Sequence, residues 1–349
     1  MSEIPSPGDF VGNCLVGQCR FDAELLLPTS NYFGLPKAAS YFYGTWRDED
    51  GNLLRALRGL GANSSDFAFA FEAVAGGHLQ CDPSTNSKLY RGPIEVLHDA
   101  SDLIFAAPAD KDLLAIRHHQ GSCGWRDGDI LDITGIQIAP AIQWFDSWPE
   151  GGGCYSATAK YRSSGRFIGR EVEGFVGHEI HYMPNGVDWM QSPYGRGREI
   201  CWQQIANEYD DGSIEQATFA VGADGWGFAL VHDEDGAFHS STDVTADAEV
   251  LDNGYPARVT YRFDDQVWTW RLDRQGQRAR TIPSAPLGAD GTCTREEETR
   301  SVRFSMGNSD WWTDGRADPL LKPTGAPGSP HPGSRTSSDP RVGRDLTTR

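Results

Sequence analysis

Asp-Gly and Asn-Gly dipeptides recur along most of this chain, among them Asp50-Gly51, Asp127-Gly128, Asn185-Gly186, Asp211-Gly212, Asp224-Gly225, Asp235-Gly236 and Asn253-Gly254. In such a pair glycine supplies the positive φ that a tight hairpin turn needs, and the residue before it tolerates the left-handed region. Between the turns lie short runs rich in β-branched and aromatic residues, at 41–46, 67–71, 130–138, 155–161, 217–221, 259–263 and 302–304, which read as strands. Sustained helical periodicity is scarce. Punctuation of this kind describes antiparallel meanders closing into barrels or sandwiches, so the expected fold class is all-β.

A chain of 349 residues exceeds one domain on the prior of roughly 100–200 residues each, which gives an expectation of two β domains. A Pro and Gly cluster ending in Pro149-Glu150-Gly151-Gly152-Gly153 puts the expected seam at 140–152, with an N-terminal domain over 1–140 and a C-terminal domain over 141–314. Trp46 followed by Asp50-Gly51 faintly parallels Trp202 followed by Asp211-Gly212. From about residue 314 the chain turns to Pro, Gly, Ser, Thr and Arg, with too few apolar groups to offset ordering entropy, so 315–349 is expected to be a disordered tail.

The net charge of -18 repels phosphate backbones and anionic lipid, which excludes nucleic acid and membrane surfaces as expected partners. The polar opening residues and the lack of any run near the roughly 18 apolar residues of a membrane span point to a cytoplasmic protein without membrane insertion. Seven scattered cysteines without a Cys-x-x-Cys pair read as free thiols. No GxxxxGK[ST] loop and no GxSxG elbow occurs, so neither a nucleotide cofactor nor a serine nucleophile is expected.

Two stretches carry candidate chemistry. In Gln143-Trp144-Phe145-Asp146-Ser147-Trp148, strand alternation puts Trp144, Asp146 and Trp148 on one face. A carboxyl between two indoles has its pKa raised by desolvation and serves as a general acid; the plainer alternative is a capping or salt-bridged Asp. In Gly177-His178-Glu179-Ile180-His181-Tyr182 a strand places Glu179 and His181 on one face, His178 and Tyr182 on the other. His-Glu-x-His in a strand is not the helical His-Glu-x-x-His of a zinc protease. Glu179 and His181 are therefore read as an acid/base couple, with two alternatives left open: metal ligation alongside His118, His119 or His232, and a hydrogen-bonded histidine in a barrel wall. With 11 Trp, 11 Tyr and 16 Phe, most rings must be core. Tyr41, Tyr43, Trp144, Trp148 and Trp202 are the candidate wall of an aromatic pocket, whose π-faces also stabilise a developing carbocation.

The Gln-Trp-Phe-Asp-Ser-Trp strand, the tyrosine strand after it, the Gly-His-Glu strand, the Trp202 strand with its Asp-Gly turn and the late Tyr255-Pro256 together resemble the carotenoid 1,2-hydratase-like and AttH-like superfamily. The resemblance spans about 38–312, fainter in the first half, and implies two lipocalin-like β domains with a ligand site near their junction. It also implies hydratase or cyclase chemistry on terpenoid-like molecules. The resulting expectation is a cofactor-independent, metal-free lyase or cyclase acting on a hydrophobic terpenoid, steroid or polyketide-like molecule. Asp146 is its expected acid, Glu179 or His181 its base. The alternative from another class is a non-catalytic carrier of lipophilic ligands on the same scaffold.

Overall fold

The computed structural model of the chain describes residues 14–65, 69–99, 102–148, 151–280 and 285–321. Strand accounts for 62% and helix for 7%, far from the roughly 30–35% helix of an ordinary globular domain. The Asp-Gly turns form as expected. Gly51 (φ 76°) links strand Leu35–Asp48 to Leu53–Leu60, and Gly212 (φ 83°) links Glu199–Tyr209 to Ile214–Gly222.

The strands of the described residues pair antiparallel, in two sheets. The first, of 14 strands, has at its centre Leu53–Leu60, Leu35–Asp48, Arg170–Tyr182 and Gly153–Phe167 in that order. Ala141–Ser147 pairs with the opening half of Gly153–Phe167, and Cys14–Cys19 pairs with Ala141–Ser147. The second, of nine strands, has Ile214–Gly222, Glu199–Tyr209, Val302–Trp311 and Leu287–Arg295 side by side.

The chain crosses from one sheet to the other over 184–198, later than the seam expected at 140–152. The Pro and Gly cluster is a hairpin turn instead. Gly151 and Gly152 have φ of 92° and 88°, and Gly151 N–H bonds the Trp148 carbonyl at 3.0 Å, folding Gly153–Phe167 back on Ala141–Ser147. Pro149 and Glu150 of that cluster, and Phe67 of the 67–71 run, lie outside the described residues. So does the expected tail from 322 onward. Residues 316–321, by contrast, pack on the body: the Arg316 guanidinium lies 4.1 Å from the Trp312 ring centroid and donates to the carbonyls of Gly195 at 3.1 Å and Glu199 at 3.2 Å.

Period-two alternation decides which residues meet across the sheets. In the first sheet Phe42, Trp46, Val176 and Ile180 face their own core, while Tyr43 and Phe175 face outward. There they pack on Ala206 and Met306 of the second sheet, whose Cys201, Ile205 and Trp311 point into its own core. Polar ties flank this apolar centre. Thr45 Oγ1 donates to Asp290 Oδ1 at 2.8 Å, Arg55 Nη2 to Asn308 Oδ1 at 3.1 Å, and Lys160 Nζ to the Ala217 carbonyl at 2.6 Å.

Candidate functional site

Beside that apolar centre the facing sheets leave a cavity of about 250 Å³. Its first wall follows from parity. Glu179 and His181, two residues apart on Arg170–Tyr182, project the same way, and Glu179 lies opposite Tyr41, as Gly177 lies opposite Tyr43, on Leu35–Asp48. His181 Nε2 stands 3.1 Å from Glu179 Oε1, and both side chains are under 10% exposed. Ser156 Oγ donates to the same carboxylate oxygen at 3.4 Å. The rings of Tyr41 and Trp189 flank the imidazole at 5.5 and 5.3 Å between centroids.

The second wall comes from Glu199 and Trp202 on one strand and Asn308 and Asp310 on the next. Glu199 Oε1 accepts from the Trp312 indole at 3.0 Å, while its buried Oε2 has no hydrogen-bond partner among the described residues. Burial first, and the charge of Asp310 second, push the Glu199 carboxyl up to about 8. Burial also raises Asp310, against the pull of Arg278 and then Arg55. Both guanidiniums line the cavity but are already engaged: Arg55 with Glu72 at 3.1 Å and Asp290 at 3.5 Å, Arg278 with Glu72 at 3.1 Å. The short turn Trp189–Gln191, capped by the Asp188 side chain on Gln191 N–H, brings Trp189 and Met190 over the opening.

The cavity therefore gathers Tyr41, Tyr43, Glu179, His181 and Trp202 of the residues expected from sequence. Trp144, Asp146 and Trp148 do share one strand face, but it belongs to the neighbouring layer. Trp144 and Trp148 pack with Tyr194 and Phe228, and that cluster reaches the cavity through Trp202 and Trp189. Asp146 is fully buried without lining it, which corrects its expected place as the acid of the pocket. Tyr194 Oη donates to it at 2.5 Å and the Arg198 guanidinium is its ion-pair partner. Burial raises its pKa, with Tyr194 and Arg198 opposing. Tyr194 stacks on Trp189 at 5.0 Å and Trp189 in turn contacts His181, so two rings stand in succession from Asp146 to His181.

The remaining histidines among the described residues are apart from the site. His178 points into the first core, stacked on Phe42 at 3.8 Å, and burial holds it well below the usual histidine range. Burial lowers His118 and His232 to about 4, and exposed His119 pairs with Asp102. Among the described residues no three His, Cys, Asp or Glu side chains are placed to hold a metal ion. All seven cysteines are unpaired, and no described helix is long and apolar enough to cross a membrane. A wider groove, about 1130 Å³, runs over the outer face of the first sheet. There Arg126 is already paired with the solvated Asp112 and Asp132, and Glu208, buried at the groove's edge on the second sheet, is already neutralised by Arg162 and Arg303.

Glu199, Asp310, Arg55, Arg278 and Trp189 were not singled out from sequence. Three residues before Trp202, Glu199 is sent by alternation to the opposite face, and a register shift between Glu199 and Cys201 is what brings both to the cavity. Arg278 follows a register shift between Leu272 and Gln277, where alternation stops being a guide.

No protein-family model matches the chain, and no curated protein matches its sequence. It is similar to a solved structure of a candidate AttH from Nitrosomonas europaea, with a TM-score of 0.48 and 14% identity over 84% of this chain and 97% of that one. Kievitone hydratase from Nectria haematococca aligns with a TM-score of 0.45 and 9% identity, over 84% and 93% of the two chains. CghA, solved with Sch210972, aligns with 0.43 and 12%, over 86% and 99%.

Proposed function

We propose that this chain is a cofactor-independent lyase or cyclase of the hydratase or dehydratase type, working on a hydrophobic small molecule in the cavity between the sheets. The observation that carries the reading is one site holding the Glu179–His181 couple together with Glu199, a second carboxyl that burial keeps protonated up to about pH 8. A neutral acid opposite a base is what proton-in, proton-out chemistry requires. In the hydration direction Glu199 gives its proton to one carbon of a double bond, and water adds to the other carbon. Glu179 with His181 then takes the proton that the water loses; dehydration is the reverse. The rings of Tyr41, Tyr43, Trp189 and Trp202 form the apolar wall. A volume of about 250 Å³ lies just under the roughly 300–1,000 Å³ of drug-sized sites, so it takes a small ring system or one end of a longer molecule.

The test begins with mass spectrometry of small molecules that co-purify with the full chain, followed by incubation of each with enzyme and a search for gain or loss of one water. Glu179→Gln and His181→Gln should each keep the circular dichroism spectrum and cut turnover by roughly two to four orders of magnitude. A compound that binds but is always recovered unchanged would overturn the enzyme and leave a carrier.

A further inference from the structure

The lining of the same cavity also speaks to the charge of its ligand. We propose that the molecule bound there carries a cationic centre, a tertiary or quaternary ammonium, held among the rings of Tyr41, Tyr43, Trp189 and Trp202 and facing Asp310; this rests on the cavity being the substrate site. Four aromatic side chains from three separate segments converge on it, and the indoles of Trp189 and Trp202 make a corner, with centroids 6.2 Å apart and planes at 67°. Rings arranged around a small volume attract an alkylated ammonium through their negative faces, and the attraction grows when water is excluded.

The charges point the same way. Arg55 and Arg278 are matched by Glu72 and Asp290, which leaves Glu179 and Asp310, joined by Glu199 once it ionises, as the excess at the cavity wall. The nearest guanidinium nitrogen to Asp310 is that of Arg278, at 4.0 Å, and 38% of the Asp310 side chain remains accessible. Glu199 adds an independent pointer, since its Oε2 is buried at the site with no partner among the described residues. An anionic ligand would be repelled here by Glu179 and Asp310, and by Glu199 once it ionises, and a wholly apolar one would desolvate Asp310 and leave Glu199 Oε2 unpartnered.

A pH signature follows. Burial first, then Asp310 and Glu179, raise the Glu199 carboxyl, and the hydrogen bond from Trp312 and the charge of Arg316 lower it, giving about 8. Ionisation adds a negative charge to the cage, so affinity for a cation should rise as pH passes upward through about 8.

The experiment titrates the full chain with choline and with its neutral isostere 3,3-dimethylbutanol, reading tryptophan fluorescence. Choline should bind at least about tenfold more tightly, with the preference growing between pH 7 and 9. Asp310→Asn should bring choline to the level of the alcohol, and Glu199→Gln should keep the preference while removing its pH dependence. Trp202→Phe, on the cage itself, should weaken choline several-fold and spare the alcohol, which keeps the test open if the Asp310 variant does not fold. Equal binding of the alcohol would overturn the cationic ligand and leave the cavity as a substrate site. Binding of neither probe would remove both.

Discussion

The ring of Tyr43 lies across the bare backbone of Gly177, its partner on the adjoining strand: a methyl group at 177 would stand 2.4 Å from the ring carbons. The absence of a side chain there lets the tyrosine lie flat against the sheet and line the cavity. Gly177→Ala must push the ring toward the cavity or bend the strand, at a cost of about 1–3 kcal/mol, the usual range for overpacking. Urea denaturation should show that loss, and ligand titration a weaker complex. Unchanged stability would contradict the contact.

Glu199 makes a prediction whose sign can be worked out. Its folded pKa, about 8, lies above the unfolded value near 4.5, so both states hold the proton at low pH and only the folded state holds it between the two values. The stability it contributes is present below about 4.5 and lost as pH rises through about 8, with an upper bound on the order of 5 kcal/mol at 1.36 per pKa unit. Glu199→Gln cannot ionise. Relative to wild type it should gain stability steadily between pH 5 and 9 in urea titrations, and parallel curves would show that the carboxyl titrates normally.

Asp146 sits among rings because it is paired. Its Asn variant loses the ion pair with Arg198, whose side chain is 22% exposed, and keeps only one acceptor for the guanidinium and the Tyr194 hydroxyl. Because water screens the arginine in part, the expected loss is about 1–3 kcal/mol, or roughly 5 °C in Tm for a chain of this size. Turnover per folded molecule should stay within a few-fold of wild type. A loss of two orders of magnitude with Tm intact would return Asp146 to the chemistry.

Arg316 clamps the crossover segment to the second sheet through the carbonyls of Gly195 and Glu199 and the face of Trp312. Arg316→Ala should cost about 1–2 kcal/mol, the worth of charge-assisted hydrogen bonds shared over a partly exposed site. Ending the chain after Gly315 should lower Tm at least as far, whereas ending it after Leu321 keeps every one of these contacts. Differential scanning calorimetry distinguishes the three chains.

The sequence by itself determined what is local to one strand or one turn. Alternation with period two put Glu179 with His181, Tyr41 with Tyr43, and Trp144 with Asp146, and sent His178 to the opposite face, because successive Cβ atoms of a strand point to opposite sides whatever the strand packs against. Asp-Gly pairs marked hairpins for an equally local reason. Tertiary structure alone decided which faces would meet. Asp146 is neutralised by Arg198 from the crossover, and Glu199 and Asp310 come to Glu179 from another sheet. Gly151-Gly152 reads identically whether the flanking strands pair or part, and only the fold shows that they pair. Pairing between distant strands depends on the summed burial of two whole faces, a quantity that no short stretch of sequence contains.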